Sequence, residues 1–296
     1  MKARKFFTYL ILLVVAANLA LVAYVFLSAP EPKPIPMPNP NGYDDFVKAT
    51  PVMGTNYYAY DKMDLKELAA LVSTNEEALT LLHLGLSREC RVPDDYSTNF
   101  IATMIPALSI FKQSVFLLCA EGKLAEREGK TNDAVKIYLD AARFSQESTR
   151  GGLIIHKLVA IACQAIAFKP LAALHESLDA KQCGEIARVL EDMDAKAEPV
   201  EESLAHEKDF GRRMGGISYP VLKLLSYKQE SASRQRFMQK FNSSQAYRRR
   251  VMLDFAERAY ELEKGQRPAS PADLVPAYLK AIPQDPMTGT NMVFAR

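Results

Sequence analysis

The pattern of apolar and polar positions divides the chain into an apolar start and a long region of helical periodicity. Residues 6–27 contain no charged side chain, a run long enough for a helix that crosses a bilayer. Further along, apolar positions recur three and four residues apart, which predicts helices over about 64–72, 75–88, 99–128, 132–147, 151–175, 179–195, 198–214 and 232–264. Because no alternating strand pattern competes, the sequence predicts an all-α fold.

Local signals mark several of these helices. Three pairs of side chains fit a capping box, in which two residues three apart satisfy each other's backbone N–H groups: Asp64 with Glu67, Thr74 with Glu77, and Asp179 with Gln182. Pro106 falls inside the third helical pattern and should kink or split that helix. Residues 153–168 are apolar almost all round, which is typical of the buried centre of a fold.

A proline-rich segment follows the apolar run. Every second residue from Pro30 to Pro40 is proline, which favours a semi-rigid polyproline II spacer. The predicted organisation is a basic stub at 1–5, a transmembrane helix at 6–27, this Xaa-Pro spacer at 28–42, a helical domain at 43–250, and a long helix with a small helix-loop cap at 251–296.

The charges beside the apolar run predict its orientation. Lys2, Arg4 and Lys5 precede it, and the positive-inside rule keeps them in the cytoplasm. A cleaved signal peptide is the alternative, but the run is longer than most, and Leu27 and Pro30 disfavour cleavage at the one small-residue site between them. We expect a single-pass protein of the inner (cytoplasmic) membrane whose bulk is extracytoplasmic.

The overall charge and the cysteines narrow the classes of function. The net charge of +2 gives no general attraction to nucleic acid. The four cysteines, Cys90, Cys119, Cys163 and Cys183, would lie where disulfides persist, and they allow three pairings. Buried free thiols are equally compatible with their apolar surroundings. The absence of a C-x-x-C pair argues against a redox enzyme or a zinc knuckle.

Charge is unevenly distributed within the helical region. Residues 176–209 hold eleven acidic and four basic side chains, whereas residues 210–250 hold ten basic and one acidic. The basic stretch predicts a possible interaction surface for anionic lipid or a cell-wall polymer, formed by Arg234, Arg236, Lys240, Arg248, Arg249 and Arg250. The alternative is that the acidic and basic helices pack side by side with solvated charges.

Motifs for catalysis or metal binding are weak. Ser109 and Lys112 fit S-x-x-K, but the companion motifs of penicillin-binding proteins stand in the wrong order. Glu176-Ser177 resembles the acid of lytic transglycosylases without the run that follows it there. The histidines lie far apart, and His156 fits a hydrogen-bonded core residue better than a ligand. The sequence therefore predicts no catalytic, cofactor-binding or metal-binding residue.

One stretch resembles a known helical repeat. Residues 115–148 carry small residues and one aromatic at spacings found in a tetratricopeptide unit, namely Gly122, Ala125, Gly129, Ala134, Tyr138 and Ala141. A single helical hairpin within a bundle is the alternative. The expected architecture is thus an irregular helical bundle or a short tetratricopeptide-like superhelix.

The C-terminal residues resemble another family. The order is a long helix, Gly265-x-x-Pro268, a short helix expected over 271–280 and ending Tyr278-Leu279, and then Ile282-Pro283-x-Asp285-Pro286. This order is similar to the segment after the long helix of type II secretion major pseudopilins. The whole chain also resembles uncharacterised bacterial envelope-anchored helical proteins, through Tyr43-Asp44-Asp45, Cys90 to Pro93 and Ala120 to Ala125. These resemblances imply a location and a fold.

Taken together, these features favour a membrane-anchored scaffold or adaptor that presents a helical surface to another envelope or membrane protein, without a cofactor. One alternative is an envelope enzyme acting on peptidoglycan through a carboxylate such as Glu176. Another is a component of a secretion or pilus-like machine, suggested by residues 251–290.

Overall fold

The computed structural model describes residues 2–27, 36–54, 57–97 and 99–294. Across these ranges the regular elements are helical, and Gln284 and Asn291 form an isolated antiparallel bridge rather than a strand. The all-α prediction is confirmed. The predicted spacer at 28–42 falls largely on residues 28–35, which lie outside the described residues.

The helices follow one another with short connections. The α-helices of the described ranges are α1 (Lys2–Leu27), α2 (Gly42–Ala49), α3 (Leu65–Thr74), α4 (Glu76–Leu86), α5 (Phe100–Arg127), α6 (Thr131–Glu147), α7 (Ile154–Ala173), α8 (Ala180–Ala195), α9 (Val200–Gly215) and α10 (Tyr219–Lys264). Short 3₁₀ helices cover Thr50–Val52, Tyr57–Ala59, Gly216–Ser218 and Pro271–Leu274. Helix α2 and the first two 3₁₀ helices were not predicted from the pattern.

Helix α1 contains the predicted apolar run. Its window Lys5–Ala23 is long and apolar enough to cross a membrane, and its side chains are exposed. The helix has 26 residues and is about 39 Å long, against about 30 Å of bilayer hydrocarbon. Two other windows, Met104–Arg127 and Ile154–Ala173, satisfy the same criteria of length and composition, but 47% and 39% of them, respectively, is buried inside the fold.

Two of the three predicted capping boxes are confirmed. Asp64 accepts the N–H of Glu67 at 2.8 Å while Glu67 accepts that of Asp64 at 2.9 Å, and Asp179 and Gln182 form the same pair of bonds. The box at Thr74 is wrong. Thr74 is the last residue of α3, and its hydroxyl donates to the carbonyl of Ala70 at 2.7 Å. Asn75 alone separates α3 from α4, so Asn75 and not Thr74 is the residue that precedes α4.

Helices α5 and α7 form the middle of the domain. Helix α5 continues through Pro106, so of the two predicted effects of this proline, a kink or a split, the split does not occur. Helix α7 packs against α5, α6 and α10, and α9 also contacts it. The stripe of Cys163, Ala167, Phe168 and Leu171 is buried, whereas Ile155 on the opposite side is 40% exposed. The predicted central helix therefore buries one face.

The α5–α6 hairpin is held by the small and aromatic residues that suggested a repeat. Ala125, Ala134 and Ala141 are buried between the helices. The ring of Tyr138 lies against Gly122, where a Cβ would stand 2.5 Å from Tyr138 Cε1. Gly129, with φ of +75°, makes the left-handed turn before α6. The small size of these residues thus allows the two helix backbones to approach closely.

Helix α10 is longer than predicted, starting at Tyr219 instead of about 232, and it passes without a break through the predicted division at 250/251. After α10, we expected a short helix over 271–280, and this prediction is wrong in both type and length. The structure has a 3₁₀ helix that covers Pro271–Leu274. The end of the chain is still packed, with Leu274, Tyr278 and Leu279 buried. The expected turn at 285–289 is present, closed by the N–H of Gly289 donating to Asp285 O at 2.7 Å.

The four cysteines are free and buried. Of the alternatives left open by the sequence, the structure selects buried thiols over any of the three disulfide pairings. Burial raises the pKa of Cys90 to about 12 and that of Cys183 to about 11. These thiols therefore stay protonated near neutral pH and act as small apolar core residues.

Candidate functional site: two grooves beside helix α6

Two of the grooves on the described surface lie beside α6, one on each side of it. The first, of about 650 Å³, lies between α6 and the helices α4 and α5, and the second, of about 550 Å³, lies between α6 and α8. Lys136, Asp140 and Arg143 line both grooves. These three residues form a ridge along α6, because positions three and four apart stand on one side of a helix.

The grooves combine apolar floors with charged rims. Leu86, Leu124 and Ile137 line the first groove, and Val135, Leu139 and Val189 line the second. Val189 is 41% exposed, and Val135 and Leu139 are half-buried. An apolar centre surrounded by polar groups is the usual anatomy of a protein interface. We define these two grooves and the ridge between them as the α6 surface.

A histidine and two carboxylates meet in the first groove. His83 Nε2 lies 2.8 Å from Glu121 Oε2, and His83 Nδ1 lies 3.7 Å from Asp140 Oδ2. The hydrogen bond to Glu121 raises the pKa of His83, and the charges of Glu121 and Asp140 add to it, against the opposing effects of burial and Lys136. This groove therefore gains a positive charge when the pH falls.

The structure divides the predicted basic surface into two parts. Arg248 is buried and its Nε donates to Asp194 Oδ1 at 2.9 Å, while Arg249 Nε donates to Asp194 Oδ2 at 2.8 Å. Arg249 and Arg250 also donate to the carbonyl groups of Gln284 and Val293. These three arginines thus join α10 to α8 and to the C-terminal cap.

The other three predicted surface residues have a different environment. Arg234, Arg236 and Lys240 are exposed on the first half of α10, and none of them takes part in the ion pairs of the described residues. The alternative of acidic and basic helices packed side by side thus fits the end of the basic stretch, where α10 packs on α8. This alternative does not account for the beginning of the basic stretch, where Arg234, Arg236 and Lys240 are exposed.

A smaller cavity, of about 60 Å³, lies among α6, α7, α10 and the α8–α9 connection. Lys157 and Glu198 line it and form an ion pair with side chains that are 8% and 6% exposed. Glu198 also accepts the N–H of Gly151 at 2.9 Å. Because both charges are compensated, the arrangement ties α7 to the α8–α9 connection and suits a structural role.

The remaining residues considered for chemistry do not converge. Glu176 is exposed in the turn after α7, and Ser109 and Lys112 are exposed on α5. His156 is buried and its Nδ1 accepts the N–H of Leu153 at 3.1 Å, which confirms it as a hydrogen-bonded core residue. Within the described ranges, no group of three or more His, Cys, Asp or Glu side chains is placed to hold a metal ion.

The ridge residues of the α6 surface were not predicted from the sequence, in which the basic stretch 210–250 is the denser cluster of charge. A signal for them exists, since Lys136, Asp140 and Arg143 follow the spacing of one helix face. His83 and Glu121 could not be paired in this way, because they are 38 residues apart and meet only through the packing of α4 against α5 and α6.

Comparisons of the chain with protein-family models, with curated proteins and with solved structures find no match. The geometry of the α6 surface and the exposed basic part of α10 are therefore the observations from which function is argued. Both lie in the part of the chain after the apolar helix α1.

Proposed function

We propose that the protein is a membrane-anchored scaffold or adaptor whose α6 surface binds a helical or extended segment of another envelope or membrane protein. The observation that carries this proposal is the pair of adjacent grooves that share Lys136, Asp140 and Arg143. Two apolar floors with one charged ridge between them can hold a segment that places apolar residues on both sides of a polar stripe.

The charges of the first groove describe the partner further. Acidic side chains at Glu121, Glu128 and Asp133 and basic ones at Lys130 and Lys136 line the same groove, and Lys130 is paired with Glu128 at 2.7 Å. A partner of mixed charge would satisfy both signs, and a wrong pairing would be penalised. This favours a protein segment over a uniformly charged polymer as the occupant of the α6 surface.

The membrane topology and the repeat-like hairpin are part of the same proposal. We infer that α1 is the single membrane anchor, with its basic N-terminus in the cytoplasm and the helical domain outside it. The partial burial of the apolar windows in α5 and α7 supports their role as core helices of that domain. The α5–α6 hairpin then serves as a tetratricopeptide-like unit, and the cap after α10 packs on α8 and α10.

An adaptor is favoured over the enzymatic alternative by the position of Glu176. A glycosidase acid has to be held in a sugar-binding cleft together with a second carboxylate. Glu176 is exposed in the turn after α7 and lies outside both grooves of the α6 surface. The role in a secretion or pilus-like machine gains no further support from the geometry of the cap.

In-cell photo-crosslinking tests the proposal. A photoreactive amino acid at Val189, in the second groove, should give a discrete crosslinked species containing a membrane or envelope protein. The same group at Lys264, which is exposed at the end of α10, serves as the matched control. Lys136→Glu, across the groove from Val189, should reduce the crosslink several-fold while expression is unchanged. Equal crosslinking from both positions, or indifference to Lys136→Glu, would rule out the α6 surface.

A further inference from the structure

Within its first half, α10 has a stretch that is exposed on every side. From Lys228 to Arg236 every residue is exposed, and Phe237 is the first buried residue of α10 within its described part. Helices in proteins normally gain most of their stability from an apolar face that packs on something else. We define residues 210–240, which run from the end of α9 into α10, as the basic arm.

Charge on the basic arm is strongly one-sided. Between residues 210 and 240 the sequence holds seven Lys or Arg residues and one acidic residue, Glu230. Arg213 is paired with Asp209 at 3.1 Å, whereas Arg234, Arg236 and Lys240 belong to none of the ion pairs among the described residues. Among the described residues, the positive charge of the arm is therefore largely uncompensated.

Apolar side chains are exposed on the same arm. Leu225 is 79% exposed and lies between Lys223 and Lys228 in the sequence, and Met214, which follows Arg213, is 46% exposed. The base of the arm is ordered by aromatic contacts, since Tyr96 stacks on Phe210 with 5.6 Å between ring centroids and Arg213 lies 4.7 Å from the Tyr96 ring centroid. A fixed base thus presents a segment that combines cations with exposed apolar groups.

A bilayer surface matches this combination. Interfacial helices place Leu-type side chains at the level of the acyl chains while Lys and Arg contact anionic headgroups. Helix α1 is itself long and apolar enough to be anchored in a membrane. Residues 28–41, which join α1 to α2, can span at most about 50 Å. The folded domain is therefore held near the bilayer.

We propose that the basic arm lies on the anionic headgroups of the bilayer that holds α1, with Leu225 entering the interface. This inference goes beyond the adaptor function, since it concerns other residues than the α6 surface and does not depend on a protein partner. An arm fixed on the membrane would give the domain a second point of attachment and so define its orientation toward the bilayer.

The test uses the full-length protein in nanodiscs, with Leu225→Cys carrying an environment-sensitive fluorophore. The native cysteines are buried, which directs labelling to the introduced one. In discs that contain phosphatidylglycerol, the emission should shift to the blue and aqueous quenching should fall several-fold relative to pure phosphatidylcholine. High salt should reverse both changes. A fluorophore at Met287→Cys, 54% exposed in the C-terminal cap, should respond to neither lipid.

Charge reversal completes the experiment. The triple variant R234E/R236E/K240E changes exposed side chains only, so the helical circular dichroism should be retained while the response of the Leu225 fluorophore to phosphatidylglycerol is lost. Equal signals in the two lipids would overturn the proposal. A response that survives in the triple variant would also overturn it, because the shift would then not come from headgroup recognition.

Discussion

The ring of Tyr138 lies so close to Gly122 that a Cβ atom at Gly122 would stand 2.5 Å from Tyr138 Cε1. Tyr138 is fully buried, and its hydroxyl donates to Glu126 Oε2 at 2.9 Å. The ring therefore cannot move away without losing both its packing and a hydrogen bond. This contact sets the distance between α5 and α6, and α6 carries the ridge of the proposed binding surface.

The variant Gly122→Ala should destabilise the protein by about 1–3 kcal/mol, because the added methyl group overpacks a filled site. Denaturant unfolding of the full-length protein in detergent, followed by circular dichroism, measures the change. Gly184→Ala is the matched control, since a Cβ there would meet only Ala259 Cβ at an ordinary 3.9 Å. The control should be neutral or more stable by about 0.5–1 kcal/mol, as alanine is the better helix former. Equal losses in the two variants would contradict the overpacking argument.

The sequence predicted best those features that depend on residues close to one another in the chain. The boxes at Asp64 and Asp179 involve residues three apart, so the signal and the contact lie in the same short segment. Helix α2 was missed because its start depends on a distant segment. Asn41 accepts the N–H of Tyr43 at 3.2 Å and also that of Arg91 at 3.0 Å, fifty residues away.

The basic stretch shows the same limit for the candidate sites. Charge density alone groups Arg234 with Arg248, yet one is exposed and the other is buried against Asp194. Asp194 is 54 residues from Arg248 in the sequence. No local pattern distinguishes a basic residue that has such a partner from one that has none, so only tertiary packing separates the two groups.

The buried ion pair of Lys157 and Glu198 leads to a second prediction. Lys157→Met should cost about 3–5 kcal/mol of folding free energy, because it leaves the Glu198 carboxylate buried without its cation. Adding Glu198→Gln should restore much of this loss, since a neutral amide oxygen can still accept the N–H of Gly151. Denaturant unfolding of the two single variants and the double variant gives the coupling free energy. Strictly additive losses would show that the two side chains do not act as a pair.

His83 should make stability depend on pH in a defined direction. Its pKa is raised in the folded protein, first by the hydrogen bond to Glu121. The resulting stabilisation is complete below the ordinary histidine pKa of about 6.5 and is lost as the pH rises through the folded-state value. The difference in unfolding free energy between the parent and His83→Gln should therefore shrink from about pH 6 to about pH 8.

Glu121→Gln is the sharper companion variant. It keeps an acceptor beside the ring and removes the charge, so the pKa of His83 should fall in a titration followed by nuclear magnetic resonance of the histidine ring. An unchanged His83 pKa in Glu121→Gln would disprove the assigned cause.

The buried thiols give the last prediction. We expect no reaction of the native full-length protein with a maleimide reagent at neutral pH, because all four cysteines are buried and the pKa of Cys90 is raised to about 12. In denaturant without a reductant, four maleimide groups should add, as mass spectrometry would show. Addition of only two groups would reveal a disulfide and contradict the structure. Met287→Cys, at a position 54% exposed in the C-terminal cap, provides the positive control, since its thiol should react in the native state.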